Sequence, residues 1–186
     1  ALATVAALGK KLDDLTIVKL GVDGAMDAKV TITGAFDDAC ASYFGGVVIT
    51  DNLKRRIVKR FEIAEDLTVL FHVPERKAYT ASSDVGRMKG VASLVKIAYK
   101  EALKGNYWVA LTLNGLIYSS ALGYNPSIAV DALMAGALAA GLSGTGSAVT
   151  AIVPREKVDP VKDAWQKYEG EILEARVNHE KATVVG

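Results

Sequence analysis

Two stretches of the chain hold residues whose types and spacing suit chemistry. The first is GAFDDACASYFGG, residues 34–46, where two adjacent carboxylates, Asp37 and Asp38, stand among small and apolar residues. Gly34 precedes them and Gly45-Gly46 follow. A carboxylate in such surroundings can accept a proton from an attacking hydroxyl or help to position Mg²⁺. Its plainer use is to cap a short helix over residues 39–44. Adjacent residues rarely face the same way, so one of the pair is expected to be catalytic and the other structural. The second stretch is Gly141-Leu142-Ser143-Gly144-Thr145-Gly146-Ser147. Closely spaced glycines let successive backbone N–H groups point at one anion, because no Cβ blocks the approach. The hydroxyls of Ser143, Thr145 and Ser147 add donors suited to a phosphate or a polyol. The plainer use is a tight connection in which Gly141 is a helix C-cap.

Other chemistry-bearing residues carry weaker signals. Asn114, on an apolar helix pattern, reads as a buried helix-to-helix hydrogen bond rather than a substrate contact. Arg87 and Lys89 open a helix and read as a solvated face, although such a position can meet an anion. Tyr79-Thr80 read as a loop anchor, with substrate contact as the alternative. His72 stands alone on a strand and reads as a packed or half-exposed histidine. Cys40 has no His near it in sequence to activate it and reads as a small core residue. Cys40, His72 and His179 cannot supply the four ligands of a structural zinc site, and no metal-ligand set is assigned.

The elements that must position these residues can be read from periodicity. Residues 1–8 have helical propensity, closed by Gly9. Asp13 or Asp14 caps a second helix to about Ala28, with Leu15, Val18, Val22 and Met26 on one face. Residues 30–33 read as a short strand, and residues 47–50 and 55–62 as a hairpin about the turn at 51–54. A strand over 67–73 ends at Pro74. One helix is expected from Asp84 to Leu103, and another over 107–122 after Gly105. A third, over 127–140, runs into the glycine loop, followed by a strand over 148–153. A helix over 160–168 and a strand over 172–177 complete the chain. Helix, glycine loop, strand is the reverse of the strand–loop–helix order of Walker A and Rossmann loops, and no Lys follows the last glycine, so both are excluded. Strands and helices come in blocks, which indicates an α+β fold with helices stacked on a mostly antiparallel sheet.

Composition narrows the class further. The chain has 186 residues, 51% of them hydrophobic and 23% charged, as in ordinary globular proteins. A formal net charge of +1 offers no basic stripe for nucleic acid. The basic cluster Lys54-Arg55-Arg56 with Lys59 and Arg60 reads as a solvated strand face. The single cysteine excludes an internal disulfide framework and fits a reducing, cytoplasmic setting. No apolar run has the length of a membrane span; residues 129–153 come closest and are broken by glycines. The opening residues lack the pattern of a signal peptide. Because the chain starts at Ala1 within a helical pattern, it is expected to be the remainder of a longer protein.

The GLSGTG run at 141–146, set between an alanine-rich stretch and a strand, resembles the third signature of the GHMP kinase superfamily. The spacing of Gly34, Asp38 and Gly45-Gly46 is similar to the segment that carries that superfamily's catalytic aspartate. Residues 33–52, 107–124 and 176–180 resemble the archaeal-type shikimate kinases, and the likeness covers nearly the whole chain. The resemblance implies a GHMP kinase fold. Residues 1–61 would be the C-terminal part of an ATP-binding domain of the ribosomal protein S5 domain 2-like type, and residues 62–186 a ferredoxin-like C-terminal domain. It further implies transfer of the ATP γ-phosphate to the 3-hydroxyl of shikimate, with Mg²⁺, in aromatic amino-acid biosynthesis. Asp38, with Asp37 beside it, would be the catalytic carboxylate. Gly141, Leu142, Ser143, Gly144, Thr145 and Gly146 would border the phosphate. Ser147 stands where the family pattern has proline or alanine. The family's phosphate-cradling second motif would lie just before Ala1, so this chain alone is expected not to phosphorylate a substrate. Two alternatives are a related kinase for homoserine or another small alcohol, and a non-catalytic metabolite-binding module.

Overall fold

The computed structural model describes residues 1–75 and 84–185. Tyr79 and Thr80 lie outside the described residues. The chain divides into two compact units: unit 1 comprises Ala1–Ile63 with the tail from Asn178, and unit 2 comprises Ala64–Val177.

Unit 1 holds helices α1 (Leu2–Ala7), α2 (Asp14–Asp27) and α3 (Phe36–Phe44) and the hairpin β1 (Val47–Asp51)–β2 (Arg56–Phe61). Asp13 is the N-cap of α2, its carboxylate accepting from the Thr16 N–H at 3.0 Å. Ile17, Val18 and Val22 of α2 meet Phe36, Cys40 and Tyr43 of α3 in one core. The tail is fastened to this unit: the Ala182 N–H donates to the Tyr43 carbonyl at 2.8 Å, and Lys181 pairs with Asp14 at 2.7 Å. Residues 30–33 do not form the expected strand; Ile32 and Thr33 bend instead. The Gly34 N–H donates to the Thr31 hydroxyl at 3.1 Å, turning the chain, and Val30 remains exposed.

Unit 2 is built on a four-stranded antiparallel sheet, ordered β4 (Ala139–Leu142), β5 (Val149–Pro154), β3 (Leu67–Val73) and β6 (Glu171–Arg176). Its helices are α4 (Val85–Gly90), α5 (Ala92–Lys104), α6 (Tyr107–Leu122), α7 (Ser127–Met134) and α8 (Val158–Trp165), the last entered through a 3₁₀ turn at Arg155–Lys157. Leu70, Val149, Ala151 and Val153 of the sheet pack with Ile128, Ala132, Val161 and Trp165 of α7 and α8. The Trp165 indole N–H reaches the Ile128 carbonyl at 2.8 Å, so burying the ring strands no donor. The single helix expected from Asp84 is two, α4 and α5, broken where Val91 leaves helical geometry after Gly90. Among the described residues, no helix is long and apolar enough to cross a membrane.

The main correction concerns residues 135–140, expected as the end of a helix, and Gly141-Leu142, expected as the start of the glycine loop. Helix α7 stops at Met134, and Gly136, at φ +109°, is its terminating glycine. The N–H groups of Gly136 and Ala137 turn back to the carbonyls of Leu133 and Ala132, a Schellman-type ending. Beyond it the chain enters strand β4, buried along its whole length. Gly141 is therefore a strand residue and not a C-cap. Its place is set by α6: a Cβ on Gly115 would lie 2.3 Å from Gly141 Cα, so helix and strand backbones touch with no side chain between them.

Gly115→Ala is expected to destabilise unit 2 by about 1–3 kcal/mol through overpacking. Gly24→Ala, in a helix with open space around it, is expected to stabilise unit 1 by about 0.5–1 kcal/mol. Urea denaturation of both variants against the parent checks the opposite signs.

Candidate functional site

Helix α3 is entered abruptly. Gly34 has φ +85°, and a Cβ there would lie 2.5 Å from Val22 Cγ1; Ala35, at φ 46°, is the N-cap. Phe36, Cys40 and Tyr43, spaced by four and three, bury one face of the helix. Asp37 and Asp38 are thereby left exposed in the first turn, where the helix dipole favours negative charge. Neither caps the helix, since Ala35 holds that position without a side-chain hydrogen bond. At the other end, the Arg60 guanidinium donates to the carbonyls of Phe44 and Gly45, and the Gly46 N–H donates to the Asn178 carbonyl at 2.7 Å.

The two carboxylates differ in their partners. Asp37 accepts from the Asn52 side-chain amide at 2.8 Å, and the Asn52 carbonyl oxygen accepts from the Thr50 hydroxyl at 2.6 Å. The hairpin thus holds Asp37. Asp38 has no hydrogen-bond partner among the described residues. Although the residue is exposed, the protein around its carboxyl removes enough water to raise its pKa, and the charge of Asp37 adds to the shift. Cys40 is fully buried, and burial, with a contribution from Asp37, pushes its thiol up to about 11. Cys40 is a core residue, as expected, and is unsuited to act as a nucleophile at neutral pH.

The glycine stretch is a hairpin connection between β4 and β5. Gly141 and Leu142 belong to β4, paired with Thr150 and Val149. The Ser143 N–H donates to the Ala148 carbonyl and the Gly146 N–H to the Ser143 carbonyl, both at 2.9 Å, closing a turn over 143–146. Gly144, at φ +55°, sits at its crest with nothing within 4 Å of where a Cβ would point. Gly146, at φ +88°, lies against the Tyr124 ring, which a Cβ would approach to 2.6 Å. Of the six residues expected to border a phosphate, Ser143, Gly144, Thr145 and Gly146 lie in the turn, whereas Gly141 and Leu142 are buried in the sheet.

The weaker candidates resolve differently. Asn114 is half-buried and its side chain makes no hydrogen bond among the described residues, so the expected helix-to-helix bond is absent. Arg87 and Lys89 are exposed on α4. His72 is buried, 1% exposed, with neither ring nitrogen hydrogen-bonded. In the basic cluster, Arg55 pairs with Asp23 and Arg60 fastens α3, so it is more than a solvated face. Among the described residues no group of three or more His, Cys, Asp or Glu side chains gathers as a metal site. Asn52 was not legible as a site residue: a turn asparagine is common, and only the fold brings it to a carboxylate 15 positions earlier.

The raised pKa of Asp38 has a definite sign for stability. The native state holds that proton more tightly than the unfolded chain, so stability falls as pH rises through the window from the unfolded to the folded pKa. The loss is complete above that window. Asp38→Asn is therefore expected to raise Tm at pH 7, with the gain disappearing as pH drops below about 4, the ordinary carboxylate range. Asp37→Asn is expected to bring the Asp38 titration, followed by carboxyl ¹³C NMR, back toward its ordinary value.

Comparison with known proteins agrees with this architecture. The family model described as "GHMP kinases C terminal" matches residues 128–170, a span holding α7, the glycine hairpin and α8. A shikimate kinase from Methanobrevibacter smithii is 50% identical over 175 residues, 94% of this chain and 60% of that protein. One from Methanothermobacter thermautotrophicus is 46% identical over 174 residues, with the same coverages. One from Pyrococcus furiosus is 42% identical over 171 residues, 92% of this chain and 61% of that protein. The chain thus spans about three-fifths of the length of these curated relatives. Among solved structures, a homoserine kinase from Cytophaga hutchinsonii aligns with TM-score 0.66 at 16% identity, over 95% of this chain and 62% of that one. L. major mevalonate kinase aligns with TM-score 0.62 at 20% identity, over 92% and 60%. At such identities the likeness speaks for the fold alone. Residues 128–170 thus match the GHMP kinase C-terminal model, and the chain is similar to these shikimate kinases over about three-fifths of their length, on a fold like that of the homoserine and mevalonate kinases.

Proposed function

We propose that the chain is part of an ATP-dependent kinase that phosphorylates the 3-hydroxyl of shikimate on the way to chorismate and the aromatic amino acids. The observation that carries this reading is the 50% identity, over 94% of the chain, to a protein named shikimate kinase. The homoserine kinase likeness, at 16% identity, supports the fold and adds nothing on substrate.

In this reading Asp38 accepts the proton of the substrate hydroxyl as its oxygen attacks the γ-phosphorus and the bond to the ADP oxygen breaks. Two features support the assignment. Asp38 has no competing partner among the described residues, and its raised pKa moves a carboxylate toward the basicity that a proton acceptor needs. Asp37, tethered to Asn52, keeps a negative charge beside it and acts as the positioning partner. In unit 2, the open crest at Gly144 supports a role in meeting phosphate oxygens, since a backbone N–H there can be approached without a side chain in the way. Phosphoryl transfer rests on such positioning and charge stabilisation more than on covalent catalysis. Mg²⁺ bound with ATP would neutralise phosphate charge. It fits a chain with few carboxylate ligands, because it keeps several waters and takes one or two carboxylates with the phosphates.

The test uses the complete gene product in a coupled ADP-release assay. Turnover is expected with shikimate and not with homoserine. Asp38→Asn is expected to lower kcat by about 10²–10⁴-fold, the usual worth of a general base, and Asp37→Asn by less. An Asp38→Asn enzyme within a few-fold of the parent would remove Asp38 from the proton-accepting role. Complete absence of ATP turnover would favour the metabolite-binding alternative.

A further inference from the structure

The turn at the tip of the β1–β2 hairpin carries an amide to the carboxylate pair of α3, and it is held in place without help from that pair. The Asp51 carboxylate accepts from the Lys54 N–H at 3.1 Å, and the Arg55 N–H donates to the Asn52 backbone carbonyl at 3.3 Å, which closes the turn. The Arg55 guanidinium fastens it to Asp23 of α2 at 2.5 Å. From the start of the turn the Asn52 side chain reaches Asp37 at 2.8 Å. An ionised carboxylate only accepts, so Asn52 turns its NH₂ group to Asp37, and its carbonyl oxygen is left to find a donor. The Thr50 hydroxyl is that donor, at 2.6 Å. Thr50, Asn52 and Asp37 thus form one chain of hydrogen bonds with a single polarity, ending on the carboxylate, and the bonds of such a chain strengthen one another.

We propose that Asn52, oriented by Thr50, is a positioning residue for the proton-accepting step: it holds the Asp37 carboxylate against the hairpin, so that Asp38 alone is left to meet the substrate hydroxyl and keeps a fixed negative charge as its neighbour. The reaction named here rests on the kinase reading; the pairing of the residues rests on geometry alone. The physical ground is electrostatic. Adjacent carboxylates repel, and both of these lie exposed in the first turn of α3. An untethered Asp37 would swing away from Asp38 into water, where its charge is screened. The amide prevents that swing, and the charge it retains contributes to the raised pKa of Asp38. Asn52 acts through Asp37, so its effect cannot exceed that of Asp37 itself.

The experiment uses the complete gene product and compares Asn52→Ala, Asn52→Asp, Thr50→Val, Asp37→Asn and the Asn52→Ala/Asp37→Asn double variant. ADP release gives kcat and KM, and carboxyl ¹³C NMR follows the titration of Asp38. Asn52→Ala is expected to lower kcat by about three- to tenfold, the usual worth of one hydrogen bond to a charged group, with KM for ATP and shikimate unchanged. Asn52→Asp, which sets an acceptor against an acceptor, is expected to lower kcat at least as far, and Thr50→Val less. In the Asp37→Asn background, Asn52→Ala is expected to change kcat no further, because the charge it positions is gone. By NMR, Asn52→Ala is expected to move the Asp38 titration part of the way to its place in Asp37→Asn. Arg55→Gln loosens the same turn at its other anchor without touching Asp37, and is expected to leave kcat and the Asp38 titration as in the parent. An equal loss in Arg55→Gln overturns the proposal, since the turn and not the amide would then be what matters. So does an Asn52→Ala variant whose Asp38 titration is unmoved, whose kcat matches an active parent, or whose effect adds in full to that of Asp37→Asn. A parent that does not turn over shikimate removes the kinase reading, and the Asp38 titration in the Asn52 and Arg55 variants then decides alone whether Asn52 sets the pair.

Discussion

The backbone of helix α6 rests directly on the backbone of strand β4 at Gly115 and Gly141, and much of unit 2 depends on that contact. Strand β4 is the edge of the sheet, next to β5 only. An uncovered edge invites pairing with another chain. Here the helix covers it closely, and the Thr112 hydroxyl accepts from the Ala140 N–H at 3.3 Å. Closeness of this kind requires small residues on both sides, which explains why β4 reads Ala-Ala-Gly where most strands carry β-branched side chains. The hairpin that continues from β4 inherits a fixed footing, with Gly146 set on Tyr124.

In unit 1 the equivalent constraint is the fastening of α3 at both ends. Its core face is held by Phe36, Cys40 and Tyr43, and its last turn by Arg60. With the helix so held, the difference between its two carboxylates comes from neighbours and not from flexibility. One is engaged by Asn52; the other faces no partner among the described residues and feels the charge of the first. Two residues of identical chemistry are thereby set apart: the hairpin turn engages Asp37, while burial, with the charge of Asp37 added, raises the pKa of Asp38.

Much of this was readable from residue order. Helices α2 and α6, strand β3 and the β1–β2 hairpin are set by capping, glycine punctuation and alternation, and these are local signals. The features that escaped were decided by distant contacts. The stretch Ala-Gly-Ala-Leu-Ala-Ala-Gly has helical propensity throughout, and only the close seat under α6 makes its second half a strand. Gly136 was the available sign, since a glycine at the end of an apolar helix pattern is the usual terminator. Residues 30–33 have strand-forming side chains but no partner strand, so they form no strand and bend at Ile32 and Thr33. The carboxylate pair was legible as chemistry, and its asymmetry was not, because that required knowing where Asn52 lands. His72 looked like packing, and its unpaired nitrogens appear only once the walls around it are known.

The return of the tail to unit 1 bears on how the chain is made. A ribosome delivers residues in order, and unit 2 is complete when Val177 has emerged. Unit 1 is not: its Asp14 and Tyr43 wait for Lys181 and Ala182, which follow unit 2 in the chain. Of the two units, the one begun first is therefore closed second, and during translation α2 and α3 must be held by their own core before this strap is in place.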